Sequence, residues 1–187
     1  GTKELLQSGS AIEREFSYQL LKGVARMSEH DLIHHLSILK DSELLYERGI
    51  YPQSTYIIKH ALVRDVVYDS ILSKRKKQMH ERIGNAIEEL YQDNIIEHYG
   101  VLAEHFFEGE NNEKAAEYAK LATKRARKTA SYKDAIYYGN KRVICLERLP
   151  KSESIEKQLI EARVTLGLYY NQMYYFAKAY ETESPIV

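Results

Sequence analysis

The sequence predicts a mainly α-helical chain in two parts, the first of which carries one small β-hairpin. Three observations lead there. Nine Gly and three Pro in 187 residues are too few for the many turns of a sandwich or a barrel. Apolar residues recur at three- and four-residue spacing along most of the chain. One short stretch, Thr55-Tyr56-Ile57-Ile58, is β-branched and aromatic and follows a turn-forming run from Gly49 to Ser54 that contains Pro52. A chain this long buries about 70% of the surface its unfolded form exposes, so no metal or disulfide staple is needed.

The elements of the first part, residues 1–94, follow in order. Phe16, Leu20, Leu21 and Val24 recur at helical spacing. Ser28-x-x-Asp31 reads as a capping-box-like helix start, with Asp in place of Glu. Leu32, Ile33, Leu36 and Leu39 give that helix one apolar face. Leu44 to Arg48 reads as a strand, with Thr55 to Ile58 returning beside it. The next helix places Leu62, Val63, Val66, Val67, Ile71 and Leu72 inward. Another runs from about Lys74 to Tyr91, with Met79, Ile83, Ile87 and Leu90 on one face.

Helix, helix, hairpin is the order of a winged-helix core, with the hairpin as the wing. The helix at 29–40 occupies the place of a DNA-recognition helix. It offers Glu29, His30, Asp31, His34, His35, Lys40 and, just beyond, Asp41, a mixture with no Arg. That composition favours protein packing over DNA reading.

Residues 95–187 have few β-branched residues, many Ala and Tyr, and long helical periods. Helices are expected near 95–108, 112–129, 132–148 and 153–182, with short breaks at Gly109 to Asn112, Ala130-Ser131 and Leu149 to Ser152. Loops of this length make neighbouring helices antiparallel. Leu166-Gly167-x-x-Tyr170 followed by Phe176-x-x-Ala179 matches the small-and-large code of a tetratricopeptide repeat, and Leu102-Ala103-x-x-Phe106 before Ala115 is a second instance. Small residues let two helix backbones approach, and the aromatic ring fills the groove beside them. Ala115, Ala135 and Ala179 lack the regular spacing of about 34 residues, so the repeats are degenerate. An ordinary antiparallel bundle is the alternative. The fold class expected is therefore mainly α: a winged-helix-like domain over 1–94, then tetratricopeptide-like antiparallel helical repeats over 95–187.

Charge and composition exclude several functions. Lys+Arg and Asp+Glu both number 27, and neither half is basic. A dedicated nucleic-acid binder carries a basic half or stripe. The clusters Lys74-Arg75-Lys76-Lys77 and Lys120/Lys124/Arg125/Arg127/Lys128 read as solvated helix faces. The lone Cys145 excludes a disulfide framework and suits a reducing, cytoplasmic setting. No apolar run approaches the ~18–20 residues of a membrane span. The start, Gly1-Thr2-Lys3-Glu4, is no signal peptide and has no Met, which suggests a piece of a longer protein.

Several stretches carry a resemblance. These are Ala11 to Phe16, Tyr56 to Tyr68, His80-Glu81-Arg82-Ile83, Leu102 to Phe106, and Glu113-Lys114-Ala115-Ala116-Glu117-Tyr118. Together they resemble the region after the NTPase domain in bacterial STAND-type ATPases, above all the multidomain adenylate/guanylate cyclases. In those, a cyclase domain precedes a P-loop ATPase, a winged helix and tetratricopeptide repeats. Glu13 departs from the family, which usually has Gly there. The resemblance implies a piece that regulates its parent enzyme. It has no Gly-x-x-x-x-Gly-Lys-Ser/Thr loop and no metal-binding Asp pair, so no catalytic residue, metal ligand or cofactor is expected in it. ATP or ADP, with Mg, belongs to the parent.

Two leads remain. His60 opens a helix directly after a strand, where helix N-termini favour anions. Lys59 to Asp65 also resembles the Met-His-Asp motif of plant resistance and apoptosome ATPases, whose His contacts the ADP β-phosphate; Ala61 replaces the Asp, so only the His carries over. The competing reading is a His that caps or packs at its own helix start. The second lead is a tyrosine stripe of Tyr132, Tyr137, Tyr138, Tyr169, Tyr170, Tyr174, Tyr175 and Tyr180, mostly core, with Tyr138 and Tyr175 as partner-facing candidates. The pairs His30/His34 and His98/His105 have zinc-like spacing but no third ligand, and Cys145 reads as a buried structural thiol. The function expected is regulatory. The winged helix docks on its own upstream ATPase domain, the repeats bind an unknown protein partner, and neither specific nucleic acid nor membrane is engaged. A DNA-binding transcription regulator is the alternative.

Overall fold

The computed structural model describes residues 1–186 and divides the chain into two compact units, Gly1–Asp93 and Asn94–Val187. The fold is mainly α-helical, with one small antiparallel sheet in the first unit and stacked helices in the second.

The first unit runs α1 (Thr2–Ile12), β1 (Glu15–Ser17), α2 (Tyr18–Val24), α3 (Glu29–Asp41), β2 (Leu45–Arg48), β3 (Thr55–Ile58), α4 (Ala61–Asp69) and α5 (Ser73–Leu90). Ser28 caps α3 by accepting the Asp31 N–H at 3.1 Å, as the sequence pattern anticipates. The hairpin forms with Leu45 opposite Ile58 and Arg48 opposite Thr55. The strand β1 is an addition: Phe16 is not helical but pairs with Tyr56, so β3 lies between β1 and β2. Ser17 ends the strand and caps α2 by accepting the Leu20 N–H at 3.2 Å. Leu5, Tyr18, Leu21, Leu32, Leu39, Ile58, Met79, Ile83 and Ile87 are fully buried and make the core.

Three expected inward faces are corrected. Ile33 of α3 and Leu90 of α5 are exposed. The helix α4 buries no residue at all: Leu62 is 74% and Val66 63% exposed, Leu72 just beyond is exposed too, and only Ile71 is buried. Its apolar residues occupy both sides of the helix, and α1 covers one of them.

The second unit opens with a 3-10 segment, Gln92–His98, kinked at Asn94. It continues through α6 (Tyr99–Glu108), α7 (Asn112–Lys128), α8 (Tyr132–Arg148), α9 (Glu153–Gln172) and α10 (Phe176–Glu183) to a last 3-10 turn, Ser184–Ile186. Each helix packs on the next in sequence. The expected 153–182 helix is two helices. Tyr174, at φ 60°, breaks it, and Tyr175 begins the next.

A recurring turn joins these helices. The helices α6, α7 and α9 all end with one non-glycine residue in the left-handed region: Glu110, Ala130 and Tyr174. In each case that residue's N–H returns to the carbonyl three back, and the next N–H returns five back, as in Asn111 to Phe106, Ser131 to Ala126 and Tyr175 to Tyr170. This is the Schellman arrangement, and Glu43 repeats it after α3. Gly109, the expected breaker, lies one position early at φ −75°. A left-handed alanine costs roughly 1–2 kcal/mol, while glycine's extra unfolded freedom returns about 0.4–1. Ala130→Gly is therefore expected to stabilise the unit by about 0.5–1 kcal/mol in urea unfolding. A lower midpoint would mean that the Ala130 methyl packs more than the strain costs.

Small residues set the helix spacing. Ala115, Ala116, Ala119, Ala122 and Ala126 form the buried side of α7, and Ala135 and Gly139 that of α8. A methyl on Gly139 would sit 3.1 Å from Leu166 Cδ1. Leu102, Ala103, Phe106 and Ala115 of the first repeat-like pattern are buried, as are Leu166, Gly167, Tyr170 and Ala179 of the second, whose Phe176 is instead exposed.

Candidate functional site

The α4 edge is built by the chain leaving β3. Lys59 N–H donates to the Leu44 carbonyl at 3.1 Å, which fixes the end of the hairpin, and α4 begins two residues later. His60 is the N-cap, with extended backbone, and its carbonyl accepts the Arg64 N–H at 3.2 Å. Its ring makes no capping hydrogen bond and is exposed. The reading of His60 as a side-chain cap therefore has no bond behind it. Lys59 beside it pairs with Glu43, whose carboxyl is held below its ordinary range by Lys59 and, more weakly, by His60.

Arg64 holds the opposite side of α4 in place. Its Nε–H donates to the Ser10 carbonyl of α1 at 3.1 Å, and its guanidinium lies 5.4 Å from the Tyr68 ring centroid. Tyr68 and His80 Nε2 are hydrogen bonded at 2.8 Å, and Lys76 stands 4.2 Å from the same Tyr68 ring. Burial pushes the His80 imidazolium down to about 4, with Lys76 and Arg64 adding repulsion. The residues from Tyr56 to Tyr68 and from His80 to Ile83 thus meet around Tyr68 and His80, while His60 and the Leu62/Val66 edge face outward. The result is an exposed apolar edge that begins at an imidazole able to donate or accept a hydrogen bond.

The face of α3 is not cationic. His30 and His34 are exposed, Ile33 and Ile38 lie among them, and Lys40 is paired with Glu47. Glu29 accepts from both Tyr18 and Tyr51 at 2.9 and 2.8 Å and pairs with Lys22, which together hold its carboxyl down to about 2.

In the second unit the two tyrosine candidates part company. Tyr138 is half-buried against α6: a methyl on Gly100 would lie 2.4 Å from its hydroxyl and 3.0 Å from its Cζ. Burial raises its phenol, with Glu104 and Asp134 adding to the rise. Tyr175 is 48% exposed and edge-on to Tyr170 at 6.4 Å. Around it Tyr174, Phe176 and Tyr180 are more exposed still. Tyr174 and Tyr180 of the tyrosine stripe, expected mostly in the core, are thus exposed together with Phe176.

His98 lies in the 3-10 segment and His105 is buried in α6, so the two do not share one helix face. Among the described residues no group of three His, Cys, Asp or Glu is placed to hold a metal. Cys145 is buried and its thiol is pushed up to about 11 by burial, which suits a packing role. No helix among the described residues is long and apolar enough to cross a membrane. Comparison with models of known protein families, with curated proteins and with solved structures gives no match.

Proposed function

We propose that this chain is a non-catalytic regulatory and protein-interaction piece of a STAND-type ATPase linked to an adenylate/guanylate cyclase. The observation that carries the reading is the outward α4 edge. An exposed His60 without a capping bond leads directly into exposed Leu62 and Val66. Apolar residues on a helix that buries nothing else suit a partner surface, and an imidazole at its start suits a phosphate oxygen on that partner. The missing ATPase domain docks there with its nucleotide towards His60, so that ADP and ATP bias a docked and an undocked state. The order helix, strand, two helices and hairpin, with β3 central, supports a winged helix. The stacked helices and their recurring turns support tetratricopeptide-like repeats, with Tyr175 and its exposed aromatic neighbours as the partner side.

The DNA-binding alternative finds less support. The recognition position presents Ile33 and Ile38 with histidines and an engaged lysine, so phosphate contacts there are few. The reading is tested on the gene. Codons upstream of Gly1 are expected to specify an ATPase domain with Gly-x-x-x-x-Gly-Lys-Ser/Thr between a strand and a helix. An upstream region with no such loop overturns the proposal.

A further inference from the structure

We infer that the first unit binds a small phosphate-bearing molecule in a cavity between the chain after α2 and the first half of α5. This does not depend on the ATPase reading. The cavity holds about 440 Å³, within the range of small-molecule sites. Arg26, Lys74, Arg75 and Arg82 line it, against one carboxylate, Glu4. These five side chains come from three separate segments, so the excess of positive charge is made by the fold and not by one basic run.

The cations are only partly satisfied. Arg75 pairs with Glu4 at 3.0 Å. Arg82 donates from Nε to the Gln78 carbonyl of its own helix at 3.2 Å, which leaves both terminal nitrogens without a partner among the described residues. Among the described residues Arg26 and Lys74 make no ion pair. Burial lowers the Arg82 pKa, and Arg26 and Arg75 lower it further, so like charges face one another across the cavity. The start of α5 adds to this. Its first turn carries no acidic residue, and Leu72 at the N-cap supplies no side-chain cap. Cations at the positive end of a helix are unfavourable, and an anion held among them offsets these repulsions with attractions of its own.

The chemistry of the walls selects the ligand. Two or three guanidinium groups bind tetrahedral oxyanions with paired N–H donors, which favours phosphate over a single carboxylate. Beside them, buried Met79 and exposed Leu72 give an apolar floor for an organic group attached to the phosphate. The size of this half-open cavity and the confinement of its cations to one patch favour a small molecule over a strand of nucleic acid, which needs a continuous stripe.

The experiment titrates the chain with pyrophosphate, phenyl phosphate and inorganic phosphate by calorimetry and NMR at fixed ionic strength. Saturable binding is expected, with shifts at residues 26–27 and 72–82 and with phenyl phosphate tighter than inorganic phosphate. Arg26→Gln and Lys74→Gln, both at exposed positions, are each expected to weaken pyrophosphate by about tenfold, as loss of a charged hydrogen bond should. Lys133→Gln and Lys151→Gln, which remove equal charge from the second unit, are expected to change nothing. Absence of saturation overturns the proposal. So does equal weakening by the control pair, which would mean a diffuse ion atmosphere, and so does duplex DNA that binds more tightly and displaces pyrophosphate.

Discussion

Shortening Phe106 to alanine is expected to cost the second unit about 3–5 kcal/mol, the range for removing a fully enclosed aromatic ring. Phe106 is completely buried and stacks on Tyr118 with centroids 5.7 Å apart and planes 12° from parallel. The Lys114 ammonium stands 4.7 Å from the ring centroid and can move little to fill a hole. Ala103 of α6 and Ala115 and Ala119 of α7 are buried and small, and offer no side-chain length to fill the space. The contrast is Tyr180→Ala. That ring is 76% exposed, and its loss is expected to change stability by less than about 0.5 kcal/mol. Urea unfolding of both variants, followed on the transition of this unit, makes the comparison. Similar costs for the two would mean that the interior is not where the structure puts it.

The second large effect is acid destabilisation through His80. Its folded pKa is about 4 against an ordinary value of 6.5, so the folded unit holds His80 neutral while the unfolded chain protonates it. The unfolded state binds more protons between these values, so stability is complete above pH 6.5 and falls as pH falls. The full loss is about 3 kcal/mol below pH 4, with about 2 kcal/mol of it gone by pH 5. Carboxylates held low, such as Glu29 at about 2, act in the same direction only below their unfolded values near 4.5. The window from pH 6.5 to 5 therefore lies above the carboxylates; His98 in the second unit, also lowered by burial, acts in the same direction there, so the transition of the first unit is the one followed. Arg64 and Lys76 lie close enough to oppose an imidazolium at His80, and the Tyr68 hydroxyl shares a hydrogen bond with its Nε2. His80→Gln, which keeps an acceptor for the Tyr68 hydroxyl, is expected to flatten the urea midpoint across that window. A native chain whose midpoint does not change between pH 6.5 and 5 would mean that His80 is solvated.

How much of this was legible in the sequence depended on how local the cause was. The face of α5 follows from spacing alone, and Met79, Ile83 and Ile87 are buried as read. The cap at Ser28 is equally local. The strand β1 is not: three residues become a strand only because β3, some forty positions later, offers them partners, and a helical period through Phe16 misled. Periodicity also gives an apolar face without saying whether anything covers it, which is why Leu62 and Val66 read as core. The breaks around Glu110 and Ala130 were legible, but their left-handed geometry and the break at Tyr174 were not, because backbone hydrogen bonds and packing impose the left-handed residue where no glycine signals it. The cavity around Arg26 and Arg82 was invisible for the reason β1 was. His60 stands where its place between strand and helix puts it, as the N-cap of α4, while the half-burial of Tyr138 against Gly100 is set by a different helix, which spacing does not show.

The central claim is that the α4 edge reads nucleotide through His60, and ADP affinity tests it most directly. The measurement compares the proposed parent ATPase with its His60→Ala variant, beside thermal unfolding of this chain with the same change. A hydrogen bond from the imidazole to a phosphate oxygen is worth about 1.5–3 kcal/mol. The substitution is expected to loosen ADP by about tenfold or more. The unfolding temperature of this chain is expected to stay where it is, since the ring makes no capping bond. Unchanged ADP affinity together with a destabilised chain would contradict the account and leave His60 a structural residue of α4.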